Sequence, residues 1–235
     1  SRSQESLLAA ARNCCTTTYA FAPAHGYNVL PGFDLELSIM APPWFPCRKT
    51  TLPYYLRHMT PTEILAAVTD LHAEVDRRTA PLARRHGARL RCARGCTACC
   101  QDDLTVLEVE AHRIRAHAGD RLAGLAPHPP GACAFLDPDG ACRIYPARPY
   151  VCRTQGLPLR WLDDEDREQR DICPLNTDGE PLARLAVTDC WTLGPVEDRL
   201  AGLQVAAQEA LGFIPPQRIG LRSLFAELSA GSTAV

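Results

Sequence analysis

Eight of the twelve cysteines in this 235-residue sequence fall between positions 92 and 173. The dense end reads Cys92-Ala-Arg-Gly-Cys96-Thr-Ala-Cys99-Cys100, and Cys133, Cys142, Cys152 and Cys173 follow. Four sulfurs within nine residues are more than core packing asks of one loop. Adjacent Cys99 and Cys100 are badly set to pair, because bridged Cα atoms prefer a separation of roughly 5.5–6 Å and a strained local ring would result. Thiolates gathered on one tight loop repel one another unless a cation holds them. The chemistry this pattern suits is chelation of Zn²⁺ or iron.

The spacing sharpens that expectation. Zinc sites use cysteines two to four residues apart, since a short loop can aim both sulfurs at one ion roughly 2.3 Å away. Two residues separate Cys96 from Cys99, and three separate Cys92 from Cys96. Cys133, Cys142, Cys152 and Cys173 supply a second set of four. Eight thiolates can build two four-cysteine sites, one bridged polynuclear site, or one iron–sulfur cluster with additional ligands. A doubly charged ion on four thiolates carries a local charge of −2, which Arg91, Arg94, Arg143, Arg148 and Arg153 could offset as hydrogen-bond donors. Lys49 is the only lysine in the sequence, so arginine at those positions is nearly forced. Pro146 and Pro149 fix a tight turn in which Tyr145 is expected to cover the cluster and Arg148 to bond carbonyls or carboxylates. Cys190 reads as a small buried hydrophobe. His72, His86, His112, His117 and His128 read as surface residues. His112 and His117, five apart, lack the i, i+4 spacing that faces a shared ion, whereas His128 sits in a Pro-rich loop near the framework.

These residues need elements to position them. Thr60-Pro61-Thr62-Glu63 is a strong helix start, with an N-cap threonine, a proline at the first helical position and a glutamate completing a capping box. The helix is expected to run to about His86, with Ile64, Leu65, Val68, Leu71 and Val75 on one face and Gly87 as a stop. Residues 104–106 suggest a short strand, and 107–118 a helix. Residues 133–136 and 141–145, around Asp137-Pro-Asp-Gly140, predict a hairpin that brings Cys133 and Cys142 together. Residues 156–161 suggest another strand, 163–171 a solvated acidic stretch, 195–211 a helix and 219–228 a shorter one. Residues 1–58 differ: they are Pro-rich and lack a helical period. The expectation is an irregular or non-native extension, with the natural chain starting at Met59 and Cys14, Cys15 and Cys47 outside any site.

Composition bounds the rest. The chain is 46% hydrophobic and 22% charged with a net charge of −2, which suits a globular domain and gives no general basic field for nucleic acid. Arg84, Arg85, Arg89, Arg91 and Arg94 form a local basic patch, but few aromatics accompany it, so a zinc module binding nucleic acid is a remote alternative. No run approaches the roughly 18 apolar residues of a membrane helix, so no membrane partner is expected. Clustered cysteines in a chain of this length favour metal binding in a reducing cytosol over a secreted disulfide scaffold.

The segments Cys96-Thr-Ala-Cys99-Cys100, Cys133-Ala-Phe-Leu136 and Gly140-Ala-Cys142-Arg-Ile-Tyr145-Pro-Ala-Arg148-Pro149-Tyr-Val-Cys152-Arg153 closely resemble the YkgJ-like cysteine-cluster proteins. The resemblance spans about residues 90–175 and implies a zinc- or iron-chelating domain. The family pattern usually has two residues between its first two cysteines, whereas this sequence has three between Cys92 and Cys96. Related clusters resemble a part of flagellin lysine-N-methylases, which raises an iron–sulfur redox or methyltransferase-type enzyme as the alternative. Cys92-x3-Cys96-x2-Cys99 also matches the spacing of radical S-adenosylmethionine enzymes. Too little chain follows, without the strand–helix alternation their barrel needs.

The sequence therefore predicts an α+β fold: one small, metal-stabilised, mainly helical domain over residues 59–235, with a short β-hairpin around the site. Cys92, Cys96, Cys99, Cys100, Cys133, Cys142, Cys152 and Cys173 are the expected metal ligands, for Zn²⁺ or iron or an iron–sulfur cluster. Tyr145, Arg148 and Arg153 are expected in support.

Overall fold

The computed structural model describes residues 56, 58–211 and 218–231. The extension expected over residues 1–58 lies outside the described residues but for Leu56 and His58, as do Cys14, Cys15 and Cys47.

Helix α1, Pro61–Arg85, starts as its sequence dictates. The Thr60 hydroxyl accepts from the Glu63 N–H, and the Glu63 carboxylate accepts from the Thr60 N–H at 2.7 Å. Its inner face buries Ile64, Val68, Leu71 and Val75. Strand β1, Thr105–Leu107, leads into helix α2, Glu108–Leu122. A 3₁₀ turn at Tyr145–Ala147 precedes the short helix α3, Tyr150–Thr154. Strands β2 (Leu159–Leu162), β3 (Glu168–Asp171) and β4 (Trp191–Thr192) follow, then helix α4, Pro195–Leu211. Strand β5, Arg218–Gly220, and helix α5, Leu221–Ser229, come last among the described residues. The fold is α+β, helices with two small sheets.

Two apolar cores divide the work. One joins α1 and α4 to Tyr150, Leu157, Leu159 and Trp191. The other joins α2 and α5 to Cys133–Leu136 and Ile144, with Cys100 and Cys142 packed against it. Phe135 and Phe225 are both fully buried and meet edge to face, their ring centroids 5.2 Å apart. That geometry favours the positive ring edge over the negative face.

Several elements differ from expectation. The hairpin around Asp137–Gly140 is a single antiparallel bridge, Leu136 to Cys142, so Cys142 sits opposite Leu136 rather than Cys133. The segment after it turns into the 3₁₀ helix because two prolines in five residues deny it ladder donors. The acidic stretch 163–171 is not merely solvated: the Asp163 carboxylate accepts from the Glu165 and Arg167 N–H groups, closing a turn, and β3 pairs antiparallel with β2. Residues 219–220, expected to begin the last helix, instead lie in β5, which pairs with β1, Val106 opposite Ile219. Finally, His72 and His86 are buried rather than exposed. The His72 Nε2–H donates to Glu110 Oε1 at 3.0 Å, which also accepts the Tyr150 N–H at 2.8 Å. His86 Nε2 pairs with the Asp189 carbonyl at 2.7 Å.

Candidate metal centre

The cysteine loop leaves α1 and doubles back in two tight turns. The Cys96 N–H bonds the Ala93 carbonyl at 3.0 Å, and the Cys100 N–H bonds that of Thr97 at 2.9 Å. Gly95 adopts φ +85°, a left-handed conformation glycine supplies at little cost. This loop lies against the Asp137–Gly140 turn: a side chain on Gly140 would sit 3.4 Å from the Gly95 carbonyl. The Asp137 carboxylate builds that turn by accepting from the Asp139 and Ala141 N–H groups. One further bond, Cys133 N–H to Cys100 carbonyl at 2.9 Å, pins the two cysteine segments together. Cys152 rides on α3, and Cys173 caps the 3₁₀ turn Pro174–Asn176.

Every described cysteine is a free thiol. The electrostatic neighbourhoods of the sulfurs fall into two groups. Cys173 feels Cys99, Cys92 and Cys96. Cys100 feels Cys99, Cys152 and Cys133; Cys152 feels Cys133, Cys142 and Cys99; Cys133 feels Cys142. Cys99 stands at the junction, hydrogen-bonded to Cys100. Cys92, Cys96 and Cys99 are thus neighbours of Cys173, Cys133 and Cys142 are neighbours of Cys152, and Cys99 and Cys100 link the two groups. Among the described residues, no three Cys, His, Asp or Glu side chains are arranged so as to hold an ion directly.

Burial dominates the protonation of these thiols. It pushes Cys133 up to about 11, and pushes Cys142, Cys173 and, furthest, Cys152 above the usual thiol value. The hydrogen bond between Cys99 and Cys100 draws Cys99 down to about 7 and holds Cys100 well up. Backbone N–H groups two residues on oppose the burial: Phe135 toward Cys133, Ile144 toward Cys142 and Leu175 toward Cys173. Donors directed at sulfur stabilise the thiolate, the form that binds metal. Arg148 and Arg222 add positive charge near Cys142 and Cys133 respectively.

The supporting residues part company. The Arg148 guanidinium lies over the Tyr145 ring, 4.1 Å from its centroid, and bonds the Tyr145 carbonyl at 3.1 Å and Asp76 Oδ1 at 3.1 Å. Tyr145 itself is 61% exposed. Arg153 is buried and reaches the Arg148 and Pro146 carbonyls and the Asp76 carboxylate. It braces the turn between Cys142 and Cys152.

Two residues that sequence spacing did not mark hold the first cysteine. Asn176, fully buried, donates from Nδ2 to the Gly156 carbonyl at 2.9 Å and to Cys92 Sγ at 3.5 Å, while its Oδ1 accepts the Arg91 N–H at 2.8 Å. Gly156, at φ +91°, leaves room for the Cys92 sulfur: a Cβ there would fall under 3.0 Å from it. No motif signals Asn176, because its partners are 85 and 20 residues away.

A cleft with about 70 Å³ of free volume opens beside the first set, with Cys99 and Cys173 in its wall. Leu104, Leu157 and Leu159 form its apolar side, and Asp103, Asp171 and Arg218 its charged rim.

A family described as "CxxCxxCC: Putative zinc- or iron-chelating domain" matches residues 91–174, the stretch holding all eight cysteines. No curated protein and no solved structure matches the chain. The match supports metal binding, of zinc or iron. No helix among the described residues is long and apolar enough to cross a membrane.

Proposed function

We propose that the protein chelates two metal ions, zinc or iron, through its eight clustered cysteines: one ion by Cys92, Cys96, Cys99 and Cys173, the other by Cys100, Cys133, Cys142 and Cys152. The donor set suits the role. Soft thiolates select zinc, iron and iron–sulfur centres over hard cations. What supports the reading is the zinc- or iron-chelating family match over residues 91–174, together with the Cys133 N–H to Cys100 carbonyl bond that joins the cysteine loop to the later cysteines. A bound ion would supply the positive charge that lets buried thiols lose their protons.

The residues of the chain do the rest. Turns at Cys96 and Cys100 aim the loop sulfurs, and the N–H groups of Phe135, Ile144 and Leu175 face thiolates. Arg148 and Arg222 offset the excess negative charge. The setting is a reducing cytosol, where the thiols stay free. Metal analysis and an absorption spectrum of the anaerobically purified full chain test the reading. Two colourless ions per chain support a zinc module, and a brown chromophore with about four irons, the content of one [4Fe–4S] centre, supports an iron–sulfur protein. Paired disulfides without stoichiometric metal would refute both.

A further inference from the structure

The cleft beside Cys99 and Cys173 has charged walls that chelation by cysteines does not use. Both small sheets contribute to it. Thr105 and Arg218 line it from the β1–β5 pair, and Leu159 and Asp171 line it from opposed positions on β2 and β3. Asp103, on the turn before β1, adds a second carboxylate. Arg218 Nε donates to Thr105 Oγ1 at 2.8 Å, and Arg218 Nη2 donates to the Thr105 carbonyl at 2.7 Å. One edge of the guanidinium is thereby fixed, and Nη1 is left over.

Elsewhere the chain pairs such charges with one another. Arg115 holds Glu108 and Glu227, and Arg160 holds Glu168. Asp102, the neighbour of Asp103, is taken by Arg222 and the Gly131 N–H. The Asp103 and Asp171 carboxylates have no hydrogen bond or ion pair among the described residues, and Arg218 meets no carboxylate there. A cation and two anions therefore line one cleft without meeting. The strands that carry Arg218 and Asp171 belong to different sheets, which holds these side chains apart. The free volume is about 70 Å³. At roughly 10–15 Å³ per water, that space takes about five to seven non-hydrogen atoms. Leu104, Leu157 and Leu159 give it an apolar side.

We propose that this cleft binds a small zwitterion, an α-amino acid with a short aliphatic side chain. Its carboxylate takes Nη1 of Arg218, its ammonium takes the Asp171 and Asp103 carboxylates, and its side chain meets the three leucines. Charge-assisted hydrogen bonds of this kind are about twice as strong as neutral ones. A molecule with one charge would leave the opposite wall unpaired, so the cleft selects for both charges together. A few convergent polar groups beside apolar surface are the usual make-up of a small-molecule site. Alanine matches the available space. The inference stands on the cleft alone and needs no metal at the cysteines.

Isothermal titration calorimetry of the full chain with L-alanine, acetate and ethylamine tests the proposal. Alanine should bind at least about tenfold more tightly than acetate or ethylamine, because only alanine engages both walls. The double variant Asp103→Asn, Asp171→Asn removes two charges but no side-chain hydrogen bond of the fold. It should weaken alanine at least about tenfold without weakening acetate. Arg218→Met should weaken alanine and acetate and spare ethylamine. No measurable alanine binding, alanine binding no tighter than acetate or ethylamine, or wild-type alanine affinity in both variants would overturn the inference. Metal content measured before and after the titration guards against ligand taken up at the cysteines. Alanine that strips metal equally from the wild type and both variants would overturn it too. None of these results bears on whether the cysteines chelate.

Discussion

Gly156→Ala is the sharpest single perturbation of the first cysteine set. The new methyl would occupy the space of the Cys92 sulfur, under 3.0 Å away, and lie 3.4 Å from Asn176 Nδ2. Two costs add. Alanine at φ +91° pays about 1–2 kcal/mol for a left-handed backbone. Overpacking against the sulfur adds about 1–3 kcal/mol. The total, about 2–5 kcal/mol, is a large share of the stability of a domain this size. The sulfur can escape only by leaving the Asn176 amide, and a displacement of that order exceeds the tolerance of about 0.2 Å on metal–sulfur distances. The first ion should therefore bind more weakly while the second is retained. Gly124→Ala is the control: it has φ +72° with nothing within 4 Å, so it pays the backbone cost alone. Guanidinium unfolding and zinc competition against a chelator read the two effects. A Gly156→Ala protein matching Gly124→Ala in stability, with both ions bound as in the wild type, would refute the placement of Cys92 against Gly156.

Asn176→Asp removes the amide donor facing Cys92 and the Gly156 carbonyl and should weaken the first ion about 10–100-fold; an unchanged competition curve would count against that contact. Phe135→Ala empties the centre of the second core and should cost about 3–5 kcal/mol, measured by denaturant midpoint, with loss of the Cys100–Cys152 ion. Thr60→Ala deletes the capping box of α1 and should cost about 1 kcal/mol without changing metal content. Acid should destabilise the fold through His72 and Glu110. Burial lowers His72, against the Glu110 contact, while at Glu110 burial is outweighed by bonds from His72 and Tyr150, so its pKa also falls. The unfolded chain then binds more protons than the folded one. Stability should decline as pH drops below about 6.5, the ordinary histidine value, and again below the ordinary glutamate value near 4.3. His72→Gln should flatten the first part of that decline.

Much of this architecture is legible in local sequence. The Thr60–Glu63 capping box sets the start of α1, and Pro195–Leu211 forms the helix its residues predict. Cysteine spacing marks the chelating stretch. What escapes is non-local. Strands of three or four residues, such as β3 and β5, are too short to show alternation, and β5 is fixed by pairing with β1 over a hundred residues earlier. The burial of His72 depends on Glu110, 38 residues away. Asn176 meets Cys92 across 84 residues, and Cys173 comes near Cys92 and Cys96 over a similar span.

Metal stoichiometry measured together with thiol protection tests the central claim most directly. The full chain, purified without oxygen, should carry two zinc ions or an equivalent iron content, and Cys92, Cys96, Cys99, Cys100, Cys133, Cys142, Cys152 and Cys173 should resist alkylation until a chelator removes the metal. A metal-free chain whose eight cysteines alkylate freely, or pair as disulfides while the fold persists, would contradict it.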